Sequence, residues 1–287
     1  MNTLSITEQL CYCTTRIDTS YENGSSGSGT GFFYNIRGTK GTIPLLITNK
    51  HVVETAIKGI IHFTCADNDG NPLHANHFPF LFDELFAHRW IFHPDPNVDL
   101  CALPIGSLLD YFQSSGKNVF YKGFDRNQIP TEEQANTLDA VENILMVGYP
   151  NGIWDSTNNM PIVRRGITAT KFSLDYLGKR EFLIDAACFP GSSGSPVVIC
   201  DIGGYTDKHG TLNWGQSRFY LLGVLYAGPQ LTVEGEIRVV TIPNLQQKPL
   251  VISQIPNNLG YVIKSNLLSD FDDIFLGWVK DSHLLNR

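Results

Sequence analysis

Three short stretches of the sequence hold residue types that could carry out acyl transfer. In Thr48-Asn49-Lys50-His51-Val52-Val53 a strand pattern ends, a histidine follows, and an apolar helical turn begins. An imidazole fixed there by the chain on both sides can take up and return a proton near neutrality, its ordinary pKa being ~6.5. In Val98-Asp99-Leu100-Cys101-Ala102-Leu103 an aspartate opens an alternating apolar segment. A partly buried carboxylate there needs a donor, and an imidazole N–H is a suitable one. Asp95 competes for that role but belongs to the turn Pro94-Asp95-Pro96-Asn97. The third stretch, Asp185-Ala186-Ala187-Cys188-Phe189-Pro190-Gly191-Ser192-Ser193-Gly194-Ser195-Pro196, is the most specific. Small residues at 191, 193 and 194 let the backbone turn sharply, so that consecutive N–H groups face one point. Such a point can hold an oxyanion, each donor being worth ~10²–10³ in turnover. Ser193 stands where a hydroxyl could attack a carbonyl held there.

The elements that must position these residues are mostly strands. Segments rich in β-branched and aromatic residues alternate with turn signals from residue 14 onward. Strands are expected at Thr14–Asp18, Thr30–Tyr34, Ile43–Thr48, Gly59–Thr64 and Asp99–Pro104. After a polar connection over Gly106–Ala140 with helical patterns near Leu108–Phe112 and Thr131–Leu138, strand signals resume. They fall at Ile144–Gly148, Ile162–Thr170, Phe182–Asp185, Pro196–Ile199, Phe219–Ala227, Ile237–Ile242 and Tyr261–Lys264. Leu267, Leu268, Phe271 and Phe275 have the spacing of an amphipathic helix, with Ser265 as its cap. Two β-rich halves and a final helix point to a double β-barrel, divided at residues 1–115, carrying His51 and Asp99, and 116–287, carrying Ser193.

Composition narrows the function classes. The chain has 287 residues, 42% of them apolar and 17% charged, within the globular range. Its net charge of −7 gives a nucleic-acid groove no support, and nucleic acid is not an expected partner. No apolar run approaches the ~20 residues of a membrane span, so no membrane partner is expected. Met1–Leu10 lacks a basic region followed by an apolar stretch, and the six cysteines read as free thiols. Both features suit a reducing, cytoplasmic compartment. His74 and His77, with His88 or His93, and the Cys11/Cys13 pair match no familiar zinc spacing. No metal or other cofactor is expected.

The Gly191–Pro196 string GSSGSP resembles the nucleophile loop of trypsin-like serine peptidases, and the wider Asp185–Pro196 run resembles the Deg/HtrA-type branch. Thr48–Val53, Asp99–Leu103, Gly29–Phe32 and Gly260–Asn266 are similar to further motifs of that branch, in the same order, across about Thr14 to Trp278. The resemblance implies an all-β chain of two six-stranded antiparallel barrels of the chymotrypsin type with a C-terminal helix. It implies His51, Asp99 and Ser193 as catalytic residues, with the backbone N–H groups of Gly191, Ser192 and Ser193 as the oxyanion hole. The primary pocket would be lined by Ala187, Cys188, Tyr226, Ala227, Gly228 and Gly260. None is acidic, so basic side chains are not expected there, and Tyr226 is expected to narrow the pocket. Ser192 stands where extracellular members carry the aspartate that pairs with a cleaved amino terminus, so activation of that kind is not expected. No PDZ module is expected after the last helix.

A peptidase in a reducing compartment would harm its host if unselective. Limited proteolysis of few protein targets, in a bacterial regulatory or stress/defence setting and under a regulatory protein partner, is the corresponding expectation. The rival reading is a catalytically silent binding module of the same fold.

Overall fold

The computed structural model describes residues 4–38, 41–83, 85–228, 230–236, 250–256 and 258–281. The strand expected at Ile237–Ile242 lies outside the described residues.

Eight strands build an antiparallel sheet in the N-terminal half. They are β1 (Thr14–Ser20), β2 (Ser26–Gly38), β3 (Gly41–Thr48), β4 (Lys58–Ala66), β5 (Pro72–Phe82), β6 (Ile91–Phe92), β7 (Cys101–Pro104) and β8 (Val119–Phe120). Their order across the sheet is β5-β4-β1-β2-β3-β7-β6, with β8 pairing beside β4. The sheet is thus larger than the six strands expected. Strand β5, which holds His74 and His77, is not among the strands expected from the sequence. Pro72, Pro79 and the positive φ of Ala75 obscure its pattern, and its place at the sheet edge tolerates missing donors.

The C-terminal half is a closed six-stranded barrel. Strands β9 (Asn143–Gly148), β10 (Ile162–Thr168), β11 (Glu181–Asp185) and β12 (Pro196–Asp201) belong to it. The hairpins β13 (Gly204–Thr206) with β14 (Leu212–Trp214), and β16 (Gln230–Glu236) with β17 (Leu250–Pro256), lie outside it. The remaining barrel strands are β15 (Arg218–Ala227) and β18 (Leu259–Lys264), closing the circuit β10-β11-β18-β15-β12-β9.

The helices are α1 (Ile6–Leu10), α2 (Lys50–Val53), α3 (Gly106–Ser114), α4 (Glu132–Thr137) and α5 (Ser269–Asp281). In α4 the Thr131 hydroxyl accepts from Gln134 N–H and the Gln134 side chain returns the bond, a reciprocal cap that sets its start. Before α5, Ser265–Leu268 forms a 3₁₀ turn. The Ser265 hydroxyl is buried and caps nothing among the described residues; Ser269 Oγ instead donates to Asn266 O at 2.5 Å.

Alternation of apolar residues produces three cores. One fills the N-terminal half around Ile17, Phe33, Leu46, Val53 and Phe63, and another fills the C-terminal barrel around Met146, Phe182, Ile184 and Val197. The third joins the halves: Phe32, Tyr34 and Ile47 pack with Val147, Val198, Leu221 and Phe271. Strand β2 therefore faces two cores at once, and α5 seals the shared one. The six cysteines are free thiols. Among the described residues no helix is long and apolar enough to cross a membrane.

Phe271 is fully buried in the shared core. Phe271→Ala is expected to lower unfolding stability by about 3–5 kcal/mol, measured by urea denaturation, through loss of burial and the cavity left behind.

Candidate active site

His51 sits on α2, the single helical turn that follows β3. Its Nδ1 lies 2.5 Å from Asp99 Oδ2, while its backbone N–H donates to Asp99 Oδ1 at 3.1 Å. The carboxylate thus grips the histidine by ring and backbone together, leaving Nε2 as the free ring nitrogen. Buried Asn49, just before the turn, donates from Nδ2 to the Asp99 carbonyl at 2.8 Å and fixes that residue's backbone. Asp95 is occupied elsewhere, its Oδ1 accepting from Asn97 N–H at 2.9 Å.

Ser193 occupies the turn between β11 and β12. The segment Phe189-Pro190-Gly191-Ser192 has proline second, glycine third with φ +85°, and Ser192 N–H donating to Phe189 O at 3.0 Å. These are the marks of a type II turn. Each of the next four carbonyls is held by its own donor. Pro190 O accepts from Asn151 N–H (2.5 Å), Gly191 O from Thr30 Oγ1 (2.9 Å), Ser192 O from Ser195 N–H (3.0 Å) and Ser193 O from Thr30 N–H (2.8 Å). Gly194 N–H donates to Leu225 O at 2.8 Å. From Gly191 to Gly194, among the described residues, the N–H groups of Gly191 and Ser193 have no partner. Ser192, expected with them as an oxyanion donor, spends its N–H on the turn itself.

The turn lies against the strands that lead to His51. Gly194 adopts φ +88°, and a Cβ there would strike the Thr30 carbonyl and come within 2.6 Å of Thr48 Oγ1. Thr48 ends β3, three residues before His51. Gly29 of β2 passes so close to Val52 that a Cβ would approach its Cγ1 to 2.5 Å. The Ser193 hydroxyl donates to the Tyr226 carbonyl at 3.3 Å, and no hydrogen bond joins it to His51. Rotation about one side-chain bond separates that resting position from others, and such bonds commonly align only when substrate binds.

Beside Ser193 lies a cavity of about 130 Å³ walled by Cys188, Phe189, Pro190, Leu225, Ala227 and Gly228. Three residues expected in the pocket stand elsewhere. Ala187 does not line the cavity, and its carbonyl accepts from Arg164 Nη1. Gly260 backs Cys188, whose Sγ would lie 2.6 Å from a Cβ at 260. Tyr226 turns its side chain away to donate from its hydroxyl to Glu181 Oε2 at 3.0 Å, so it does not narrow the cavity. Burial pushes the Cys188 thiol up to about 11, partly opposed by the charge of Arg164, and keeps it protonated at neutral pH. Arg164 stacks over the Phe189 ring at 4.7 Å and has no carboxylate partner among the described residues. Sequence reading missed it because an arginine on an alternating strand signals only an exposed face.

Two of the histidines outside this site have separate structural partners. His77 Nε2 donates to Ser156 O at 2.9 Å, and His93 Nε2 meets Asp270 Oδ2 at 3.1 Å, docking α5. Among the described residues no three His, Cys, Asp or Glu side chains converge as metal ligands.

The sequence profile described as trypsin-like peptidase domain matches residues 29–203, a stretch that takes in His51, Asp99 and Ser193. No curated protein matches the chain. Similar solved structures include the active form of the Rv3671c protease of M. tuberculosis, with 14% identity over 91% of this chain and 79% of that one, at a TM-score of 0.44. The serine endoprotease of Yersinia pestis shares 14% identity over 93% of this chain and 65% of its own length, at a TM-score of 0.42. Tobacco etch virus protease with product shares 11% over 92% and 77%, at 0.46.

Asp99→Asn, which keeps the shape but reverses the preferred histidine tautomer, is expected to reduce kcat by about 10³–10⁴-fold. Asp95→Asn is expected to stay within about twofold, since only surface turn bonds change. Steady-state hydrolysis by the two variants checks both.

Proposed function

The chain belongs to the family of trypsin-like peptidase domains, and from that premise we propose that it is a serine endopeptidase working through His51, Asp99 and Ser193. The observation that carries this reading is the nucleophile turn, whose carbonyls from Phe189 to Ser193 are bonded while, among the described residues, the two N–H groups flanking Ser192 stay open. Substrate binding draws the Ser193 hydroxyl from Tyr226 O toward His51 Nε2. Ser193 Oγ then bonds to the scissile carbonyl carbon as its proton passes to His51, and Asp99 stabilises the resulting imidazolium. The carbonyl oxygen gains negative charge and takes hydrogen bonds from Gly191 and Ser193 N–H. His51 returns the proton to the departing amine as the C–N bond breaks, leaving an acyl group on Ser193. Water, deprotonated by His51, releases the acid and restores the serine.

The cavity supports a neutral, small apolar side chain at the residue before the cleaved bond. None of its wall side chains is charged, and the guanidinium of Arg164 stacked on Phe189 repels a cation that would already lose its water on entry. Limited cleavage of few targets under a regulatory partner extends the same proposal to the protein's setting; rapid digestion of unfolded casein by the purified chain would contradict it.

A fluorophosphonate probe is expected to label Ser193, with Ser193→Ala unlabelled, inactive and within about 1 kcal/mol of wild-type stability. An unlabelled wild-type protein would favour a silent binding module. Across peptide substrates differing only at that position, alanine or valine is expected to exceed lysine or arginine in kcat/KM by at least about tenfold, the loss in a neutral site that cannot pair a cation.

A further inference from the structure

We infer that Thr30 is the positioning residue of the oxyanion turn, a role that rests on Ser193 being the nucleophile. Thr30 is fully buried in β2, and every polar atom it has is used. Its hydroxyl donates to Gly191 O at 2.9 Å while accepting from Tyr149 N–H at 3.1 Å and Ser195 Oγ at 3.3 Å. A hydroxyl has one proton and two lone pairs, so this set saturates it. The Thr30 N–H holds Ser193 O at 2.8 Å, and its carbonyl accepts from Thr48 Oγ1 at 2.7 Å. One residue of the N-terminal sheet thus ties together the start of the nucleophile turn, its end, the β9 exit at Tyr149 and the strand leading to His51.

The side chain does more than fill space. A valine would match its volume in the strand, so the hydroxyl matters through the bonds it orders. Those bonds bracket the Gly191 peptide groups. Asn151 N–H fixes the Pro190–Gly191 peptide and with it the Gly191 N–H, while Thr30 Oγ1 fixes the next peptide, Gly191–Ser192, which links that donor to the peptide carrying the Ser193 N–H. Glycine lacks a Cβ, so little else resists rotation of these peptide planes. Without the hydroxyl, Gly191 O and Tyr149 N–H lose their partners inside the protein. The simplest relief turns the Gly191–Ser192 peptide toward another donor, which breaks the Ser192 N–H bond to Phe189 O and shifts the peptides on either side, so that the N–H groups of Gly191 and Ser193 no longer converge. Asn151, in the left-handed region at φ +51°, serves the same turn from the other side.

The test is the rate of Ser193 phosphonylation by a fluorophosphonate, whose phosphoryl oxygen enters the same hole and needs no known substrate. The maximal rate and the half-saturating probe concentration are measured for wild type and for Thr30→Ser, Thr30→Cys and Thr30→Val. The expected order of maximal rate is Thr, Ser, Cys, Val. Valine falls about 10²-fold, the worth of one oxyanion donor, while the half-saturating concentration moves less than about twofold. A residue that only supported the fold would lower stability without splitting these two quantities, and serine would not rescue it. A valine variant at the wild-type rate, or a serine variant as slow as valine, overturns the inference. Where circular dichroism shows that the valine variant has not folded, the cysteine variant decides instead: a rate equal to that of serine overturns the role, and a clear deficit supports it. A wild-type protein that takes no label overturns the peptidase reading itself, whereas a labelled wild type with an undiminished valine variant overturns the role of Thr30 alone.

Discussion

A peptide group removed from water must pair its carbonyl and its N–H, and the segment from Pro190 to Gly194 is built around that constraint. Four successive carbonyls are met by donors from Asn151, Thr30 and Ser195. Two N–H groups are consumed by Phe189 and Leu225 carbonyls. What remains, at Gly191 and Ser193, is a pair of donors that none of the described residues satisfies. Preorganised donors of this kind cost little at the moment of reaction because the fold has already oriented them.

That orientation belongs to both halves of the chain. The turn is part of the C-terminal barrel, yet its shape is held by β2 of the N-terminal sheet. Strand β2 also passes against Val52, next to His51, through the space that Gly29 leaves open. The core shared by Phe32, Val198 and Phe271 keeps the halves in register, with His93 and Asp270 fastening α5 over it. The loop Tyr149–Gly152 is braced as well: Arg16 Nη1 donates to Gly152 O at 2.7 Å while its guanidinium pairs with Asp18. Asp18 is half-buried, which alone would raise its pKa, but hydrogen bonds from His62 and Arg16 hold it below the usual carboxylate range. It therefore stays charged at neutral pH and keeps Arg16 in place.

Local sequence was sufficient wherever a short stretch determines its own geometry. The glycine-serine run around Ser193 reads as a sharp turn because glycine at 191 and 194 permits the positive φ the backbone adopts. His51 and Asp99 stand out because a strand ends before one and begins after the other. The strand content of the C-terminal barrel follows from short apolar, β-branched runs such as Ile144–Val147 and Pro196–Ile199, bounded by turn signals. Features that depend on partners distant in the chain were not legible. Thr30 looks like any strand threonine until Gly191 and Tyr149 are seen around it. The Ser192 N–H was counted as a free donor because its acceptor, Phe189 O, depends on turn type. Tyr226 was placed in the pocket by position, whereas Glu181 draws its hydroxyl the other way. Strand β5 was hidden by prolines that only an edge position accommodates.

The most direct measurement is a crystal structure of the protein with a peptide boronic acid. The account predicts a covalent bond from boron to Ser193 Oγ, with one boronate oxygen about 2.7–3.1 Å from the N–H nitrogens of both Gly191 and Ser193. A boronate bound to another residue, or one whose oxygen meets neither amide, would contradict it.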